Sequence, residues 1–336
     1  MSLFVKNIFP GASIQDNGRP GLQRFGVTAG GAIDSFALEQ GRSLFKEKSN
    51  TAAIEFSGSG GKFIVGQPSY FSSTGAHSVV KLKGLKKAQG QIFKAMEGDE
   101  IEVSSISKGF YSYLHVAGGF LTSCHLGSRS GNVRAGLGTT LKKGDHLPYV
   151  SESNIKISSV KFIDYMNTRQ IRIIEGPQTH LFSKKLLERF LDTEFEVSIA
   201  RDRMGIRLNH TGSNFCHKDG LKILSEAIEL GDIQIDGQGL PTVLLNDRQP
   251  TGGYPRIATV ISADVHKVAQ IGVNSKLHFT LVSLGEAIKA LKDYEDMLSV
   301  MDKDVTFLNR DPRDISNLLS YGLVDGVIRG DEYDKS

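Results

Sequence analysis

Glycine supply is the feature that most constrains this chain. Thirty-seven glycines are spread through 336 residues, and apolar side chains rarely recur at helical spacing between them, so the pattern predicts many short strands joined by tight turns. A repeated signal sharpens this. Gly98-Asp99-Glu100-Ile101, Gly144-Asp145-His146-Leu147 and Gly231-Asp232-Ile233 each set a Gly-Asp turn pair before a β-branched or alternating run. These pairs read as strand entrances, and the fold class as mostly β.

Helical patterning is confined to a few segments. Asp34 can cap a helix over Ser35 to Phe45; Thr179 to Leu191 and Leu284 to Met301 carry apolar residues near helical spacing. The stretch between Val150 and Arg169 is polar and Ser-rich, and IRIIEGP from Ile171 begins a fresh strand. The expected organisation is therefore a β domain over residues 1–155, a second over 165–300 and a C-terminal extension over 301–336.

Composition excludes several classes. Forty basic and thirty-seven acidic side chains give a net charge of +3 without a long run of either sign, which leaves no footprint for nucleic acid or anionic membrane. The N-terminal MSLFVKNIFPG lacks a signal-peptide core and no segment reaches the ~18 apolar residues of a membrane span, so a cytoplasmic protein is expected. Cys124 and Cys216 read as small buried hydrophobes, and His210, Cys216 and His217 lack metal-site spacing, so no metal is expected. Gly61-Lys62 is not a phosphate-binding loop and Gly127-Ser128-Arg129-Ser130-Gly131 is not a hydrolase elbow, because Arg stands in its centre.

What remains are Gly-rich segments dense in polar side chains. Gln15, Asp16 and Arg19 crowd an amide, a carboxylate and a guanidinium between turn formers, which suits bidentate binding of a carboxylate or amide as well as it suits a self-bonded turn. Gly30 and Gly31 before Asp34 could offer N–H groups to an anion, or Asp34 could simply cap a helix. Glu55, between Ile54 and Phe56, needs a partner or a task, and a salt bridge is the expected answer. Arg129 poses the same choice. The stretch NDRQPTGGYPRIATVISAD, Asn246 to Asp264, reads as a hairpin-like connection between two strands. It carries Asp247, Arg248, Gln249, Thr251, Gly252, Gly253 and Tyr254 together, more hydrogen-bonding capacity than a turn requires, and Asp264 opens a short helix over Val265 to Gln270.

These same segments carry a family resemblance. SIQDNGRPGLQRFGVTAGGAIDSFAL from Ser13, LHVAGGF and LGSRSG between Leu114 and Gly131, DRMGIRL from Asp202, and SEAIELGDIQIDGQGLPTVLLNDRQPTGGYPRIATVISAD from Ser225 resemble the family of the C component of bacterial 5-oxoprolinase, also called allophanate hydrolase subunit 2. That family is related to half of the carboxyltransferase region of urea carboxylase. The resemblance implies two tandem cyclophilin-like β-barrel domains with few short helices, a heteromeric partner like the B component of 5-oxoprolinase, an A component, and a small amide substrate. It implies ATP as co-substrate of the complex in opening 5-oxoproline to glutamate, with no cofactor bound by this chain itself. The alternatives within the family are biotin-dependent carboxyl transfer to urea or a similar amide, and a non-catalytic regulatory partner. Carried onto this sequence, Asp247, Arg248, Tyr254 and Asp264 would be catalytic. Gln15, Asp16, Arg19, Asp34, Arg129, Gln249, Thr251, Gly252 and Gly253 would bind substrate. Pro250 stands where the family usually has a second Thr, Leu240 where Gln is common, and His210-Thr211 where Gly-Pro usually follows; Pro250 removes an N–H and a hydroxyl from the loop.

Overall fold

The computed structural model describes residues 2–47, 50–138, 140–151, 155–160, 164–216 and 223–308. Residues 309–336 of the expected extension, and His217, lie outside the described residues. The first half forms two antiparallel sheets. One has six strands in the order His146–Pro148, Ser2–Ile8, Gly61–Val65, Glu100–Val103, Val80–Leu82, Leu85–Lys87; the other has five, Ser13–Gln15, Ala53–Ser57, Lys108–Val116, Ser69–His77, Phe93–Ala95. In the second half seven strands close into a barrel: Gln170–Glu175, Arg256–Val260, Asp232–Ile235, Pro241–Leu244, Gly205–Asn209, Phe195–Arg201 and Lys276–Leu281. The last of these returns to the first in parallel, which completes the ring.

All three Gly-Asp pairs enter strands by one device. Gly98, Gly144 and Gly231 have φ of 81°, 95° and 88°, as the third position of a type II turn requires. In each turn the Asp carboxylate accepts the N–H three residues back: Met96, Lys142 and Glu229 donate to Asp99, Asp145 and Asp232 at 2.9, 2.7 and 2.8 Å. The strands then begin at Glu100, His146 and Asp232.

The five-stranded sheet is buried on both faces, and strand alternation decides what each side chain meets. On Lys108–Val116, Leu114 and Val116 enter the core shared with the six-stranded sheet, while Tyr111 and Tyr113 enter the core shared with the barrel. On Ala53–Ser57, Ile54 and Phe56 take the first side, so Glu55 is turned toward the barrel together with Ala53. The sheet thus joins the halves through a continuous apolar cluster that includes Phe190, Phe195 and Ile257, each large side chain contributing about 1.5–3 kcal/mol by its burial.

Among the described residues four α-helices pack on this frame. Helix α1, Ser35–Phe45, is capped by Asp34, whose Oδ1 accepts from Ala37 N at 2.9 Å. Helix α2, Lys184–Asp192, is shorter than the expected Thr179–Leu191 helix: a 3-10 turn occupies Thr179–Leu181 and Ser183 caps a new start. Helix α3, Ser262–Gln270, begins before the expected Val265. Helix α4, Leu284–Val300, carries a capping box formed by Ser283 and Glu286. After a turn at Met301–Asp304, Val305–Phe307 pairs with Ser158–Val160. None of the described helices is long and apolar enough to cross a membrane. Cys124 and Cys216 are exposed rather than buried, because both sit on surface loops outside any strand or helix.

Candidate active site at the junction of the halves

The loop from Asn246 is not a hairpin. The strands that it joins, Pro241–Leu244 and Arg256–Val260, lie on opposite sides of Asp232–Ile235 and both pair with it, so the loop must arch across the end of that strand. This arch meets the Gly-rich turns of the first half.

Arg203, from the turn before Gly205–Asn209, is the centre of the meeting place. Its Nε and Nη2 hold both oxygens of Asp247 at 2.8 and 3.0 Å. Its Nη1 pairs with Glu55 Oε1, and Nη2 also donates to the Gly31 carbonyl at 2.7 Å and Gln15 Oε1 at 3.3 Å. Glu55 has no solvent exposure; its second oxygen accepts from Tyr113 Oη at 2.7 Å and Ile33 N at 2.9 Å. Burial works against the charge of Arg203, but Glu55 and Asp247 more than offset it and its pKa is raised. Gln15, fully buried, is fixed by Ser13 Oγ and the Gly131 carbonyl at 2.8 and 3.0 Å.

Around this cluster the first half is folded by Asp16. Asp16 accepts from Gly18 N, Ser128 Oγ, Ser130 Oγ and Arg129 N at 2.8, 2.5, 2.5 and 2.7 Å, so it stitches the turn at Gly18 to the 128–130 loop. The carbonyls of Gly30 and Ala32 accept from Asn246 Nδ2, both at 3.0 Å. Arg19 donates from Nη2 to the Ser130 carbonyl at 2.5 Å, while its Nη1 is sealed from solvent with no hydrogen-bond partner among the described residues. Burial lowers the Arg19 pKa, partly countered by Asp16 and Asp247. Gly30, at φ 61°, packs closely against both side chains: a Cβ there would stand 3.3 Å from Arg19 Nη1, tighter than an ordinary contact, and 3.8 Å from Asp247 Oδ1. A donor and an acceptor thus lie side by side at Gly30, the pairing that a neighbouring C=O and N–H require.

The other expected site residues lie around or beyond the cluster. Asp34 lies beneath it, fully buried; besides capping α1 it accepts from Gln270 Nε2 at 2.6 Å and from Tyr165 Oη. Burial pushes its carboxyl up to about 6 despite these bonds. Arg248 is buried and held by the Ile228 carbonyl and Glu229, both at 3.0 Å. With Gln249 it lines a neighbouring cavity of about 490 Å³ on the outer barrel wall, beside Asp202 and Met204. Thr251 and Gly252 form a short ladder with Glu226 and Ala227, and Gly253 and the exposed Tyr254 continue from it. The Arg129 guanidinium is engaged by the Thr122 carbonyl. Asp264 is taken by Arg172 and Lys267, both at 2.7 Å, and no hydrogen bond joins it to the Arg203 cluster among the described residues. Reading the sequence missed Arg203, Asn246, Ser128 and Ser130 as members; the demand of Glu55 for a cation was the one signal that pointed to Arg203.

The chain matches the model of the carboxyltransferase domain, subdomain A and B, over residues 25–281. It is similar to the C component of 5-oxoprolinase from Haemophilus influenzae, 34% identical over 84% of this chain and 92% of that protein, and to the same component from Escherichia coli, 32% identical with the same coverage. It is also similar to the urea amidolyase of Saccharomyces cerevisiae, 26% identical over 91% of this chain but 18% of the yeast protein. Among solved structures, TTHA0988 superposes with TM-score 0.75 at 25% identity, over 83% of this chain and 55% of that one. The Kluyveromyces lactis urea amidolyase superposes with TM-score 0.78 at 22% identity, over 93% of this chain and 21% of that one, a likeness of fold. With the match running from before α1 to the last barrel strand, three quarters of the sequence, the chain belongs to the carboxyltransferase subdomain A and B family.

Proposed function

We propose that this chain is the C component of an ATP-dependent 5-oxoprolinase complex, acting with components of the A and B types to open 5-oxoproline to glutamate. The observation that carries this reading is the buried donor and acceptor, Arg19 Nη1 and Asp247, side by side at Gly30, in a chain that is similar along most of its length to two proteins named as the C component of 5-oxoprolinase. A lactam presents a carbonyl oxygen beside an N–H; once the turn at Gly30 moves to admit it, Arg19 would donate to the oxygen and Asp247 would accept from the nitrogen. Arg203, by holding both Asp247 oxygens, and Asp16, by holding the Arg19 turn, orient the two groups for the charge that develops on the carbonyl oxygen. Arg248 and Gln249 in the adjoining cavity would meet the substrate carboxylate or a partner surface.

The experiment is glutamate release from 5-oxoproline, with and without ATP, by this chain co-expressed with candidate A-type and B-type components, leaving each out in turn. ATP-dependent release that disappears without this chain is the expected result; no release from an intact complex overturns the assignment. A second reading, carboxyl transfer from biotin to urea or a related amide, is favoured by the similarity to urea amidolyases. The biotin ureido ring also places C=O beside N–H, so Arg19 and Asp247 at Gly30 would hold it. Under that reading a carboxylated biotinyl carrier protein as donor and urea as acceptor replace ATP and 5-oxoproline in the assay.

A further inference from the structure

Behind α1, away from the Arg203 cluster, a cavity of about 280 Å³ lies among α1, α3, α4 and Tyr165. Its walls are aromatic. His266 on α3 packs near-parallel to Phe36 (centroids 5.7 Å apart, planes at 22°) and to Tyr294 (5.0 Å, 20°), and Tyr165 meets it edge-on at 5.2 Å. Phe36 and Tyr294 are themselves 6.5 Å apart, so they flank the imidazole from adjacent directions and the rings form one aromatic cluster around it.

The imidazole has no partner within the protein among the described residues. His266 is 5% exposed and neither ring nitrogen makes a hydrogen bond among the described residues; Nδ1 is sealed from solvent, which leaves Nε2 as the nitrogen that a ligand can reach. The other polar groups of the site are committed: Tyr165 Oη donates to Asp34, Tyr294 Oη pairs with Ser35 Oγ at 3.1 Å, and Arg172 and Lys267 bind Asp264. A buried polar group without a partner is rare enough to need a reason. Burial and the Lys267 charge push His266 down to about 3, so near neutral pH it is an uncharged imidazole with one donor and one acceptor nitrogen.

We propose that this cavity is a small-molecule site for a neutral aromatic ring bearing a single hydroxyl or N–H, which packs against the aromatic walls and donates its hydrogen to His266. The volume lies at the fragment end of ordinary ligand pockets, roughly 300–1,000 Å³, and the combination of apolar lining with few polar groups is typical of them. Of the charged residues at the rim, Arg172 and Lys267 are paired with Asp264 and Asp293 is exposed, which disfavours an ionic ligand. This site is separate from the chemistry proposed at the Arg203 cluster and does not depend on it.

The test is calorimetric titration of the full chain with phenol, and with toluene as a ring that lacks the donor. Saturable one-to-one phenol binding is expected, about tenfold tighter than toluene. In His266→Phe, which keeps a ring against Phe36 and Tyr294, phenol should fall to the toluene level. In Ala290→Leu, which fills the cavity from α4, both ligands should be lost. Absence of saturable phenol binding, equal phenol affinity in folded His266→Phe, or retention in Ala290→Leu would overturn the proposal. The imidazole ¹⁵N resonances of His266 in the unaltered protein supply a check that needs no variant: they must move on adding phenol, and unchanged resonances refute the contact.

Discussion

Replacing Arg203 by Met tests whether charge pairing holds the junction of the halves. The side chains of Arg203, Glu55 and Asp247 are 14%, 0% and 10% exposed, so Met leaves Glu55 wholly buried with no paired cation, and Asp247 largely buried with only Arg19 nearby. Breaking a buried pair from one side costs about 3–5 kcal/mol, chiefly because the abandoned charge remains desolvated. At about 2–4 °C per kcal/mol the melting temperature should fall by about 6–20 °C. The informative comparison is the double variant with Glu55→Gln. The amide keeps an oxygen for Tyr113 Oη and Ile33 N but carries no charge, so the double variant should recover about 2 kcal/mol of what Arg203→Met lost. Thermal unfolding of the four members of the cycle measures this. Strict additivity, or a single variant within about 2 °C of the unaltered protein, would refute the view that charge pairing with Glu55 holds the junction.

Three further outcomes follow from other parts of the structure. Asp34 has a folded-state pKa raised to about 6 from its ordinary 3.8, so its contribution is fully present below about pH 4 and is lost as pH rises through 6, about 3 kcal/mol in all. His266 and His115, both pushed down to about 3 by burial, lose stability in the opposite direction as pH falls below about 6.5; the difference in melting temperature between Asp34→Asn and the unaltered protein, taken from pH 4 to 7, isolates the Asp34 contribution and should change monotonically in favour of the variant. Gly30→Ala sets a methyl tightly against Arg19 Nη1 and an L-residue at φ 61°, which should cost about 1–2 kcal/mol of stability and raise KM for the amide substrate about tenfold or more in the assembled complex; an unchanged KM would remove the Gly30 turn from the site. Gly41→Ala puts a Cβ 2.1 Å from the His115 ring, itself bonded to Thr74 at 2.8 Å, so overpacking should lower stability by about 1–3 kcal/mol in a melting experiment.

The parts of the fold legible in the sequence were those fixed by neighbours in the chain. Each Gly-Asp pair carries its whole turn within four residues, and Asp34 finds its acceptor role three residues on at Ala37; both could be read without knowing what packs where. The Asn246 arch could not. Its two flanking runs look like hairpin arms, and only the insertion of Asp232–Ile235 between them, a matter of long-range pairing, makes the connection a crossover. The split of Thr179–Leu191 into a 3-10 turn and α2 has a local signal, Ser183 as a cap, that the apolar spacing obscured.

The candidate site shows the same division more sharply. Glu55 announced its need for a cation by standing among apolar residues, and strand alternation even fixes the face on which that cation must lie, because Ile54 and Phe56 claim the other side. Nothing local selects Arg203 from the forty basic side chains, since the two residues are 148 positions apart. Once the barrel closes, however, the choice has consequences that run back through the chain. The same guanidinium fixes Asp247, the Gly31 carbonyl and Gln15, so one buried charge ties the turn at Gly30, the five-stranded sheet and the arch together. An exposed pair of this kind would contribute less than about 1 kcal/mol. Buried and shared among both halves, it makes the geometry at Gly30 depend on the correct docking of the sheets against the barrel.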